Sequence, residues 1–129
     1  MAYRVLGPGD EPALRSLLAV FARAFADPAP ARPTDDHLAG LLAGPGFVAL
    51  VAVLDGRVVG GLTAHVLPGY EPGRSELYVY DLAVDEPFRR RGVGAGLIAA
   101  VRGVAADRGA RGVYVQADPD DAPAVALYE

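Results

Sequence analysis

At 129 residues and 52% hydrophobic content, the chain is long enough for one buried core and too short for two. The absence of cysteine excludes disulfides, thiol nucleophiles and thiolate metal sites, and a net charge of −4 argues against nucleic acid, whose binding domains are usually basic. No apolar run reaches the roughly 20 residues of a membrane span and MAYRVLGPGDEP lacks the basic and apolar regions of a signal peptide, so one cytoplasmic domain over 1–129 is expected, with neither membrane nor nucleic acid as partner.

Tyr3 to Leu6 reads as a short strand, and Leu14, Leu17, Leu18, Phe21 and Phe25 then recur at helical spacing on one apolar face. Pro28, Pro30 and Pro33 make Ala26 to Pro33 a loop. Thr34 is placed to cap a short helix running through Leu42, with Asp35 and Asp36 in its first turn. Phe47 to Leu54 and Arg57 to Leu67 are strand-like, and Asp55-Gly56 between them predicts an antiparallel hairpin. Pro68 to Gly73 forms a turn before a further strand, Glu76 to Val84. After a glycine-rich loop, Leu97, Ile98, Val101 and Val104 give a helix its apolar stripe, Gly109 closes it, and Val113 to Gln116 is the next strand. Strand, crossover helix and strand make a βαβ unit, so these last two strands are expected to be parallel neighbours. His37 and His65 have no metal-ligand spacing, and His65, alone in a strand, reads as structural; no metal is expected.

The loop itself, YDLAVDEPFRRRGVGAG, carries the strongest signal. Gly92, Gly94 and Gly96 let the backbone approach a ligand, the first N–H groups of the following helix point outward, and Arg89, Arg90 and Arg91 add donors for phosphate oxygens. The chain has no lysine, which excludes a loop ending in Gly-Lys-Ser/Thr, and Leu97 stands where a dinucleotide fingerprint needs its third glycine. What remains is R-x-x-G-x-G, occupied by Arg89, Gly92 and Gly94.

That pattern, between this strand and this helix, resembles the pyrophosphate loop of the GNAT superfamily of acetyl-coenzyme A dependent N-acetyltransferases. The strings SELYVYDLAV, FRRRGVGAGLI, VYVQAD and DDAPAVALY further resemble the aminoglycoside 3-N-acetyltransferases of the gentamicin-resistance type, over a region from DDHLAGLL to the last residue. The resemblance implies an α/β fold with a mixed, mostly antiparallel sheet splayed at the acetyl-CoA site and flanked by helices. The family continues past ALY with a further strand or two, so a chain ending at Glu129 is expected to lack them and to expose its last parallel strand as an edge open to dimerisation.

The same resemblance assigns residues. Arg89, Arg90, Arg91, Gly92, Val93, Gly94 and Ala95 would hold the pyrophosphate, with Asp118 also on the cofactor side, and the backbones of Leu82, Ala83 and Val84 would meet the pantetheine arm. Asp81 matches an acidic position of related polyamine acetyltransferases and is the expected base, with a role as ammonium anchor as the alternative. Tyr128 falls where the family protonates the departing thiolate, and Tyr78 where other members carry a glutamate base. Glu76, Tyr78 and Tyr80 share one strand face by period two, and the residues leave open whether that face meets substrate or core. Asp35, Asp36, Glu76, Tyr80, Asp81, Asp118, Asp120 and Asp121 form the acidic and aromatic lining expected for a multiply charged aminoglycoside. The other acceptors left open are polyamine or protein amines, and a cofactor-binding fragment without activity is the remaining alternative.

Overall fold

A computed structural model describes residues 1–115. In chain order it contains β1 (Ala2–Val5), α1 (Glu11–Ala24), α2 (Asp35–Ala43), β2 (Phe47–Leu54), β3 (Arg57–Pro68), β4 (Ser75–Val84), a 3-10 turn at Glu86–Phe88, α3 (Val93–Asp107) and β5 (Ala110–Val115). The five strands lie in the sheet in that same order. Pairing is antiparallel from β1 through β4, and β4 and β5 are parallel, as a right-sized crossover through α3 requires. Gln116, the expected end of the last strand, lies outside the described residues.

Local chemistry sets the element ends. Thr34 accepts the His37 N–H at 3.1 Å through its side-chain oxygen and so starts α2. Asp55 and Gly56 both take positive φ, 51° and 75°, the primed turn whose twist matches a tight hairpin between β2 and β3. Gly109, at φ 71°, lies one residue beyond the α3 cap and turns the chain into β5.

The sheet separates two cores. On one face Leu97, Val101 and Ala105 of α3 pack against Val48, Leu50, Leu62, Leu77 and Val79. On the other, Leu14, Leu17, Val20 and Phe21 of α1 with Leu38 and Leu42 of α2 cover Ala49, Val51 and Ala83. Gly61 permits the closest approach there. A methyl group on it would stand 2.5 Å from the Leu50 carbonyl oxygen and 2.6 Å from Leu17 Cδ1, so only hydrogen fits.

A departure from regular pairing positions the site. Thr63 pairs with Asp81 but Ala64 with Val79, which leaves Tyr80 as an extra residue on β4. The bulge resets the alternation, so Tyr80 and Asp81 both turn toward the helix-covered face that carries α1 and α2. Among the described residues the β4–β5 ladder runs from Ser75 with Ala110 to Val79 with Val115.

Candidate active site

The end of β4 leads into the arginine loop. The Asp85 N–H donates to the Val59 carbonyl oxygen at 2.8 Å, so by the alternation of an antiparallel ladder Ala83 also points its backbone groups at β3. Those of Leu82 and Val84 point away from β3. Of the three residues expected to meet a pantetheine arm, Leu82 and Val84 thus turn their backbone groups away from β3, and Ala83 turns its own toward it.

Arg89, the first residue of R-x-x-G-x-G, is folded back. Its Nε donates to the Val84 carbonyl oxygen at 2.9 Å, which fastens the loop to the end of β4. Arg90 (φ 63°) and Gly92 (φ 79°) are both left-handed, with Gly92 capping α3. Left-handed residues at this spacing turn successive N–H groups into a concave nest, and the buried Val93 anchors the helix start behind it. A methyl on Gly92 would meet nothing, so the glycine is required for its dihedral angle. Gly96 has a different role from the one expected. Its missing side chain makes room for the phenol of Tyr3, which reaches over from β1. Arg91 stands over the Phe88 ring at 5.8 Å and Arg57 at 5.7 Å.

Asp85 holds this region to the rest of the fold. It is 5% exposed and accepts from Arg23 Nε at 3.1 Å and Arg23 Nη2 at 2.9 Å, with Arg57 Nη2 at 3.5 Å. The Arg23 fork holds its carboxyl below the usual range, and Arg57 adds to this against the opposing effect of burial. One carboxylate thus joins α1, the β2–β3 hairpin and the exit of β4.

Across the sheet, a pocket of about 480 Å³ lies between α1, the proline-rich loop, α2 and strands β3 and β4. Phe21, Phe25, Leu38, Leu41 and Phe47 make most of its wall apolar, and its polar groups are Asp27, His37, Thr63, His65, Tyr80 and Asp81. Burial raises the Asp81 carboxyl above its ordinary value. His65 meets Phe47 and Tyr80 edge-on, with centroids 5.6 and 5.8 Å away. It was read as structural from sequence, yet it lines the pocket with Thr63 by period two on β3, a placement visible only once β3 is paired with β4.

The remaining candidates fall elsewhere. Tyr78 and Tyr80 are exposed, 38% and 74%, which answers the open question of the Glu76–Tyr80 face: it is not core. Glu76 and Tyr78 line a separate cleft of about 300 Å³ with Leu67, Tyr70 and Arg74. The Tyr78 hydroxyl donates to Glu76 Oε2 at 3.0 Å, its ring stacks on Tyr114 at 5.1 Å, and the Glu76 hydrogen bond raises its pKa further from that of a useful base. Asp35 faces away from the pocket and accepts from Arg15 Nη2 at 2.6 Å, while Asp36 is exposed in the first turn of α2. Asp118, Asp120, Asp121 and Tyr128 lie outside the described residues.

The model of the acetyltransferase (GNAT) family matches residues 14–129. The chain belongs to that family. GNAT acetyltransferases use acetyl-CoA, and the nest of Arg90 and Gly92 fits a pyrophosphate. It is 41% identical to an aminoglycoside acetyltransferase from an uncultured soil metagenomic sample, with a TM-score of 0.92 over 99% of this chain and 89% of that one. A second aminoglycoside acetyltransferase from such a sample, in complex with sisomicin, gives 35% identity and a TM-score of 0.94 over 98% of this chain and 84% of that one. Mycothiol acetyltransferase of Clavibacter michiganensis is 38% identical over 86% of this chain, but the chain spans only 36% of that protein.

Proposed function

We propose that this chain is an acetyl-CoA-dependent aminoglycoside 3-N-acetyltransferase, which acetylates the 3-amino group of the deoxystreptamine ring by direct transfer between two bound substrates and confers gentamicin-type resistance. The observation that carries the reading is Asp81, a carboxylate with a raised pKa in the wall of an apolar pocket at the C-terminal half of β4. Similarity to two aminoglycoside acetyltransferases over nearly the whole chain supports the acceptor class.

Acetyl-CoA supplies an acetyl thioester, which only a neutral amine attacks. An alkyl ammonium with a pKa near 10.4 costs about 4–5 kcal/mol to deprotonate at pH 7. Asp81 takes that proton, and its raised pKa reduces the mismatch with the ammonium. Before transfer the same carboxylate anchors the charged amine in the pocket. The N–H groups of Leu82 and Val84 face away from β3 and serve the thioester and its arm, and the loop from Arg90 to Ala95 holds the pyrophosphate. Tyr128 is the proposed donor to the departing thiolate.

A second reading, transfer to a polyamine or protein amine, draws on the 30% identity to an N-alpha-acetyltransferase of Saccharolobus solfataricus over 65% of this chain. Free-thiol release from acetyl-CoA with gentamicin, kanamycin, spermidine and a peptide N-terminus separates the two, with the acetylated position read by NMR. Saturable release with gentamicin and a 3-N-acetyl product is expected. Release confined to spermidine or peptide rejects the aminoglycoside reading, and cofactor binding without any release marks a binding fragment.

A further inference from the structure

The first turn of α3 presents the N–H groups of Val93, Gly94 and Ala95, which have no partner within the helix and suit a pyrophosphate. The turn closes where the Gly96 N–H donates to the Gly92 carbonyl oxygen at 2.9 Å. Its own sequence supports it poorly. Gly92, Gly94 and Gly96 favour the helix less than any residue but proline, no side chain caps the start, and no acidic residue in the first turn opposes the helix dipole. Support comes from β1. Tyr3 pairs with Ala52, which belongs to the same buried cluster as Val93 and Leu97, so the Tyr3 side chain lies on the α3 face of the sheet. Its Oη and Cζ take the place that a Gly96 Cβ would fill, and its Cε1 would stand 3.0 Å from that atom. The phenol therefore rests on the residue whose hydrogen bond closes the turn.

We infer that Tyr3 is a positioning residue for the cofactor: by packing on Gly96 it holds the first turn of α3 closed, and through that turn it sets the affinity for coenzyme A. Only the closed turn directs its N–H groups together at a pyrophosphate, so the apparent affinity falls in proportion to the fraction of chains in which the turn is closed. Gly96 is what admits the phenol. Alanine at this position would favour the helix, yet its methyl would evict the phenol, which is the far end of a side chain and can swing aside. The two positions are therefore coupled: once the methyl is in place, Tyr3 no longer supports the turn and its removal has nothing further to undo. The cofactor cradle thus depends on β1, which among the described residues lies at the edge of the sheet with β2 as its neighbour.

The test is a double-mutant cycle on the Kd for coenzyme A, measured by calorimetric titration for the unaltered chain, Tyr3→Ala, Gly96→Ala and the chain carrying both, with circular dichroism to show that each is folded. Tyr3→Ala is expected to raise Kd about fivefold or more, and Tyr3→Phe, which keeps the ring, to stay within about threefold of the unaltered chain. Gly96→Ala is expected to raise Kd by a smaller factor, and adding Tyr3→Ala to it to change Kd by less than about twofold. A residue that only stabilises the fold would lower the urea midpoint and leave these Kd values alike. A Tyr3→Ala chain within about twofold of the unaltered one, or the same loss from Tyr3→Ala in both backgrounds, overturns the inference. If Tyr3→Ala does not fold, Gly96→Ala decides alone, and binding as tight as that of the unaltered chain overturns it. An unaltered chain that binds no coenzyme A overturns the cofactor assignment together with this inference.

Discussion

Replacing Asp85 by asparagine removes the charge that α1, the β2–β3 hairpin and the start of the cofactor loop share. The carboxylate is buried and fully engaged, accepting from both Nε and Nη2 of Arg23 and, more distantly, from Arg57. Removing one partner of a fully buried pair costs about 3–5 kcal/mol. Here the guanidinium side chains are 56% and 63% exposed, so water screens them and keeps them solvated after the change. Asparagine also retains one acceptor. A loss of about 1.5–3 kcal/mol is expected, or about 5–12 °C in melting temperature for a domain of this size. The sign with pH follows from the lowered carboxyl. The folded value lies below the unfolded one near 3.8, so the stabilisation is fully present above that value and disappears as pH falls through the folded one. Urea denaturation at pH 7 and at successively lower pH, down to the limit at which both chains fold, measures the gap. A gap under 0.5 kcal/mol at pH 7, or one that persists unchanged well below pH 3.8, would refute this account of Asp85.

Gly61→Ala forces a methyl against the Leu50 carbonyl and Leu17, and should cost about 2–3 kcal/mol by calorimetry, whereas Gly40→Ala, where nothing lies within 4 Å, should be neutral or slightly stabilising. Gly92→Ala meets no steric neighbour but must hold φ near 79°, so about 1–2 kcal/mol of strain is expected, with a weakened Kd for coenzyme A by calorimetric titration as the sharper readout. Arg91→Gln should weaken coenzyme A less than Gly92→Ala, because backbone N–H groups supply the cradle; the reverse order would assign the binding to the side chain. Thr34→Ala removes the α2 cap and should lower stability by about 1 kcal/mol in urea denaturation.

Most of the scaffold was legible because its signals are local. Asp55-Gly56 dictates a primed turn, Thr34 a cap, and the length of the crossover makes β4 and β5 parallel. The site was less legible because it depends on pairing. Nothing in SELYVYDLAV marks Tyr80 as the extra residue; the bulge exists only relative to β3, and it alone puts Asp81 on the pocket face beside Tyr80 while Glu76 and Tyr78 line another cleft. Asp27 and His65 are 38 residues apart and meet only after α1 lies across the sheet. Gly96 fits a glycine-rich ligand loop by spacing, but the residue it accommodates, Tyr3, is at the far end of the chain. Asp85, one position beyond an apolar strand, carries no motif, and its importance comes from two arginines distant in sequence.

The role of Asp81 is the center of the account, and the pH dependence of kcat/KM for gentamicin, measured for the unaltered chain and for Asp81→Asn at saturating acetyl-CoA, tests it most directly. Because burial raises the carboxyl, the unaltered chain should lose activity on its acid side above the ordinary carboxylate range, and Asp81→Asn should fall by about 10²-fold or more with that acid limb gone. An Asp81→Asn chain within about threefold of the unaltered one and with the same pH profile would contradict it, and would place the proton acceptor on another residue.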